Sequence, residues 1–89
     1  MHAVVVHVTI NDLEQATEVL NAEVVPRASQ APGFVAGYWT RDGNDGLSMV
    51  VLESEDAAKA VADQLQSAGA PTDAVTFNSI EVREVVAHA

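Results

Sequence analysis

The chain has 89 residues, no cysteine and a formal net charge of −9, from 13 acidic and 4 basic residues. Its length predicts one domain, spanning residues 1–89. The missing cysteines exclude disulfides and thiolate metal sites. The negative charge argues against a basic surface that would bind nucleic acid or an anionic membrane.

The amino-terminal residues do not resemble a secretory leader, because the apolar run after Met1 is short, carries no positive charge and is interrupted by His7. No stretch approaches the roughly 20 apolar residues of a membrane span. We therefore expect a cytoplasmic protein with no membrane contact.

The first predicted strand covers residues 2–10. Alternation along a strand gives it two faces. One face carries Val4, Val6, Val8 and Ile10, and the other carries Ala3, Val5, His7 and Thr9. Both faces are mostly apolar, so both should be covered, one by helices and the other by a partner.

The first predicted helix begins at Asn11 or Asp12, either of which can cap it. Its apolar positions recur at helical spacing and are Leu13, Ala16, Leu20 and Val24. Pro26 is predicted to end or kink this helix near Val25, because proline has no amide donor and crowds the preceding turn. Residues 27–31 should then form an irregular turn.

A hairpin follows, with strands over residues 34–41 and 47–53 and a turn over 42–46 rich in glycine, asparagine and aspartate. On the second strand, alternation places Phe34, Ala36 and Tyr38 on one face, and Val35, Gly37, Trp39 and Arg41 on the other. A glycine inside a strand, here Gly37, predicts a bulge or the close approach of another backbone.

The second predicted helix is capped by Ser54 and runs to Ala68, with Gly69 and Pro71 ending it. The fourth strand is predicted over residues 75–86. The order β-α-β-β-α-β indicates an α+β fold with a four-stranded antiparallel sheet in the order 4-1-3-2 and both helices on one face. Because the opposite face would carry large apolar side chains, we expect a homodimer formed through the sheet faces.

Two segments carry the most specific similarity to a known family, one entering the second predicted strand and one leaving the third. They are Pro32-Gly33-Phe34-Val35-Ala36-Gly37-Tyr38 and Val51-Leu52-Glu53-Ser54-Glu55-Asp56-Ala57. With them, nearly the whole chain resembles the dimeric α/β-barrel superfamily that includes antibiotic-biosynthesis-type monooxygenases. The resemblance implies a ferredoxin-like monomer, a dimeric α/β barrel, and a small-molecule pocket between sheet and helices. Many short members of that superfamily have no established activity.

The heme-degrading branch uses an asparagine on the first strand, a tryptophan at the end of the third, and a histidine on the second helix. In this chain the asparagine position is occupied by Val6 and the tryptophan position by Leu52. Residues 54–68 contain no histidine. The resemblance therefore argues against heme degradation and implies no cofactor and no metal.

Two functions remain open: a protein of undetermined activity that binds a small apolar ligand, and a cofactor-independent monooxygenase acting on an aromatic metabolite. A monooxygenase would need a flat apolar pocket with polar groups that hold and deprotonate the substrate. The candidate catalytic residue is His7, as proton acceptor. The candidate ligand-binding residues are Tyr38, Trp39, Asn78 and Arg83. Each also has a structural explanation in packing, a strand-edge hydrogen bond or an ion pair. If the valine face of the first strand meets the helices, His7 points into the dimer barrel.

Overall fold

The computed structural model describes residues 1–70 and 72–89, so the predicted role of Pro71 lies outside the described residues. The strands are β1 (His2–Ile10), β2 (Phe34–Asp42), β3 (Asp45–Leu52) and β4 (Val75–Glu84). The helices are α1 (Leu13–Val19), α2 (Val25–Ser29) and α3 (Glu55–Ala68), and a π-helical segment (Leu20–Val24) joins α1 to α2. The sheet order is β2-β3-β1-β4 with antiparallel neighbours, which confirms the predicted α+β ferredoxin-like fold. In the described part of the chain, no helix has the length and apolar character needed to cross a membrane.

The core lies between α3 and the two central strands. Its buried residues are Val4, Val6, Val50, Leu52, Ala58 and Ala62. Ala58 and Ala62 are the contribution of α3, and their small side chains allow that helix to lie close to the sheet. The valine face of β1 therefore meets the helices. This is the arrangement for which the sequence predicts that His7 points away from them.

The first helical region continues past Pro26, so a helix end near Val25, one of the two predicted alternatives, is wrong. The amide of Val25 donates to the carbonyl of Leu20, five residues earlier, and regular helix then continues to Ser29. Pro26 falls in the first turn of α2, where a missing amide donor costs little. The predicted irregular turn over residues 27–31 is accordingly wrong in its first half.

The hairpin is tighter than predicted, because Asp42 and Asp45 are already paired and only Gly43 and Asn44 form its loop. Gly43 has φ +61°, which favours glycine at the first loop position. The carbonyl of Asn44 accepts a 2.7 Å hydrogen bond from the amide of Ile10. This bond ties the hairpin tip to the end of β1.

Two β-bulges alter which face some side chains occupy. In β2, Phe34 pairs with Leu52 and Ala36 with Val51, so Val35 is the extra residue. Phe34 therefore lies on the helix side with Trp39 and packs against the core, whereas strict alternation placed it with Tyr38.

The second bulge lies in β4. His7 pairs with Ser79 and Val8 with Phe77, so Asn78 is the extra residue. Its side-chain amide donates to Thr9 Oγ1 at 2.9 Å, which matches the strand-edge alternative considered for this residue.

The helix-free face of the sheet is apolar on one half and polar on the other. Leu47, Met49 and Tyr38 on β3 and β2 are 38%, 38% and 63% exposed. On β4, Arg83 donates to Glu81 at 2.7 Å, and both side chains are exposed. The large apolar side chains predicted for this face are present, but β4 does not supply them.

Candidate functional site

A cavity separates the first helical region from the sheet. α3 packs over the sheet and buries two alanines, whereas α1, the π-helical segment and α2 contribute no buried residue. The space between this first helical region and the sheet is a cavity of about 670 Å³. The apolar stripe of the first helix therefore lines a cavity and does not close onto the core.

The cavity has an apolar floor and apolar walls. Its floor is formed by the helix-facing side chains of the sheet, including Val6, Val8, Ile10, Val50, Val75 and Phe77. Its walls come from both helical regions, including Leu13, Ala16, Leu20, Val24, Val61 and Leu65. Such a lining favours an apolar ligand, since the ligand and the wall both leave water on binding.

Trp39 forms one side of the cavity. A Cβ atom at Gly37 would lie only 2.7 Å from Cη2 of its indole and 3.4 Å from Cε2 of Phe34. The atoms nearest to that Cβ therefore belong to aromatic rings and not to the other backbone that the sequence predicted as one alternative, and the bulge lies two residues earlier.

Polar groups enter this apolar lining at a few points. Ser48 lies on the floor, paired across the sheet with Val6 and Trp39. Arg27 and Gln64 border the cavity from α2 and α3, and Arg41 borders it from the end of β2. A few placed polar groups in an apolar cavity are typical of sites that orient a small molecule.

A second cavity of about 340 Å³ lies between α2 and α3. Four residues line both cavities: Arg27, Ala31, Val61 and Gln64. Arg27 and Gln64 are therefore the polar groups at the junction of the two cavities.

The structure separates the predicted site residues. Trp39 borders the large cavity, whereas His7, Tyr38 and Arg83 lie on strand positions that alternate to the helix-free face. Asn78 is the bulged residue of β4 and is bonded to Thr9 on that same face. No single site brings the five together, and their chemical roles stay predictions.

Sequence reasoning missed Arg27, Ser48 and Gln64. Arg27 continues the helical spacing of Leu20 and Val24. Because the helix is predicted to end or kink at Pro26, this spacing was not extended to Arg27. Alternation along the third strand predicts Ser48 on the face of Val50 and Leu52, and a hydroxyl among these apolar side chains is the one signal that the sequence offers.

No family model matches the chain, and no curated protein matches its sequence. The solved structures that share its fold include the following two. One is the heme-degrader MhuD of Mycobacterium tuberculosis, determined with two hemes bound in its active site. It is 23% identical to this chain, with TM-score 0.55, and the match covers 97% of this chain and 98% of that chain.

The other is the ActVA-Orf6 monooxygenase of Streptomyces coelicolor, determined in complex with the ligand nanaomycin D. It is 14% identical, with TM-score 0.51, and the match covers 98% of this chain and 92% of that one. At these identities the likeness establishes the fold, which agrees with the resemblance drawn from the sequence.

Proposed function

We propose that this protein binds a small apolar molecule in the 670 Å³ cavity between its sheet and its first helical region, and that it does so as a homodimer. The observation that carries the proposal is the cavity itself. Ligand sites in proteins commonly measure about 300–1,000 Å³ and are lined mainly by apolar and aromatic side chains with a few polar groups. This cavity has that size and that lining.

The fold likeness supports a binding role. The two solved structures described above hold a bound ligand, heme in one and nanaomycin D in the other.

Heme itself does not fit the residues present. Heme iron needs an axial ligand such as histidine, cysteine, methionine or tyrosine. Among the described residues that line the cavity, none is of these four types. α3 also contains no histidine. We therefore derive no role for heme.

The homodimer is supported by the helix-free face. Tyr38 and Met49 are cross-strand neighbours there, and Leu47 adds to the same exposed apolar surface. In a chain of net charge −9, the charged side chains that the edge strand β4 places on this face are Glu81 and Arg83, which form an ion pair. Two copies can approach through this face with less electrostatic repulsion than through the acidic helices.

The test of the binding role uses Trp39, the chain's only tryptophan, as a fluorescent reporter. We expect a neutral polycyclic probe, 2-anthracenemethanol, to quench its emission saturably by energy transfer. Ala16→Phe places a ring in the cavity, so it should weaken probe binding by about tenfold or more. Gln15→Phe, on an exposed position of the same helix that does not line the cavity, should leave binding unchanged.

Two results would refute the binding role. One is the absence of saturable quenching in the wild type. The other is an equal effect of Ala16→Phe and Gln15→Phe. Circular dichroism of both variants establishes that they fold.

The alternative is a cofactor-independent monooxygenase acting on an aromatic metabolite, which the fold shared with ActVA-Orf6 favours. In that case His7 would accept the proton, and it would have to act on the helix-free face, inside the dimer. Turnover of anthrone by wild type and His7→Ala tests this, with His88→Ala as the matched control. Equal rates in all three would remove His7 from the mechanism.

A further inference from the structure

Of the four lysine and arginine side chains in the described part of the chain, two lie next to a carboxylate and two do not. Lys59 lies 3.2 Å from Glu55, and Arg83 lies 2.7 Å from Glu81. Arg27 and Arg41 both border the large cavity, and neither has a carboxylate within 4 Å in residues 1–70 and 72–89. In a chain with 13 acidic residues, the two arginines without acidic partners are thus both at the cavity.

Of these two, Arg27 has the free guanidinium. Arg41 Nη1 donates to the carbonyl of Gly43 at 3.3 Å, which holds it toward the hairpin tip. The guanidinium of Arg27 donates no hydrogen bond to any described residue. It stands with Gln64 at the junction of the two cavities.

We propose that the ligand is an organic acid: an apolar body in the large cavity against Trp39, and one anionic oxygen group bound by Arg27 at the junction. This deepens the proposed binding function and rests on it. A guanidinium offers five donors in a planar fork that matches a carboxylate, and Gln64 adds a neutral donor beside it.

The charge of the whole chain sharpens this assignment. A net charge of −9 repels an anion from most of the surface. An acidic ligand is therefore attracted mainly where positive charge is concentrated and not cancelled by a neighbouring carboxylate. Arg27 and Arg41, which border the cavity at separate places without a carboxylate partner, meet that condition, whereas Lys59 and Arg83 do not.

Arg27 also lies in the last turn of α2, where a cation complements the helix dipole. That structural role would change stability but would not distinguish an acid from its neutral analogue. The test therefore measures selectivity between two matched probes.

The experiment titrates Trp39 fluorescence with 2-anthracenecarboxylate and 2-anthracenemethanol, which share the aromatic body and differ in charge. The measured quantity is the ratio of their dissociation constants. In Arg27→Gln, we expect the carboxylate to lose about tenfold relative to the alcohol, as for a hydrogen bond to a charged group. Lys59→Gln makes the same change in net charge at a position that lines neither cavity, and it should keep the wild-type ratio within about twofold.

An unchanged ratio in Arg27→Gln, with both probes still bound, would overturn the assignment of the acid group and leave the binding role intact. An equal fall in Arg27→Gln and Lys59→Gln would also overturn it, since it would show only an effect of net charge. If neither probe binds the wild type, the binding role fails and this inference fails with it.

Discussion

The indole ring of Trp39 lies against Gly37, two residues earlier on the same face of β2. A Cβ atom at Gly37 would be 2.7 Å from Cη2 and 2.8 Å from Cζ3 of that ring. Glycine is therefore the residue that allows the tryptophan to lie along the strand and form one side of the cavity. The position of Trp39 at the side of the cavity thus depends on the absence of a side chain at Gly37.

We expect Gly37→Ala to displace Trp39 and to lower the free energy of unfolding by about 1–3 kcal/mol, as for other insertions into packed sites. The wild-type and variant proteins are compared by urea denaturation followed by circular dichroism. In a Trp39→Ala background, the same Gly37→Ala change should cost much less, because the ring it meets is gone. Equal costs in the two backgrounds would show that the ring does not constrain this glycine.

The two helix caps should differ in their effect on global stability. Ser54 Oγ accepts a hydrogen bond from the amide of Ala57, and Asp12 Oδ1 accepts one from the amide of Gln15. Losing such a cap typically costs about 1 kcal/mol. Because α3 carries part of the core and α1 stands over the cavity, Ser54→Ala should lower global stability by about that amount.

Asp12→Ala should lower global stability less and instead speed hydrogen exchange of the α1 amides. Urea denaturation and amide exchange measured on both variants test the difference. Equal global losses, with no local change in α1, would contradict the idea that the first helical region stands off from the core.

The strand order and the valine face of β1 could be predicted from the sequence, because alternation and helical spacing are properties of the chain's local geometry. The bulges at Val35 and Asn78 could not, since one extra residue in a strand leaves no trace in composition. For a related reason, the sequence could not distinguish a helix that ends at Pro26 from one that continues past it. A π-helical turn shifts the hydrogen-bond partners so that proline is tolerated.

The cavity follows from the relative positions of elements that each look ordinary in sequence. In the sequence, the apolar stripe of the first helical region, which includes Leu13 and Leu20, is equally consistent with a buried core and with a cavity wall. Only the three-dimensional arrangement shows that it buries no residue completely. The possible role of Arg27 likewise became visible only from its position at the junction of the two cavities.

Self-association through the helix-free face predicts that Met49→Glu weakens the dimer, because it adds a charge among exposed apolar side chains. Light scattering after size exclusion should give the wild type a mass of twice 9.4 kDa and shift the variant toward 9.4 kDa. Gln66→Glu adds the same charge on an exposed position of α3 and should remain dimeric. A wild type that stays at 9.4 kDa at every concentration would rule out this dimer.

The most direct test of the binding role is a crystal structure of the protein grown with 2-anthracenemethanol. We expect the aromatic rings to lie between the first helical region and the sheet, in contact with Trp39 and the helix-facing valines of β1. A structure in which Leu13 and Leu20 close onto the sheet, leaving the space filled and the probe bound elsewhere or absent, would contradict it.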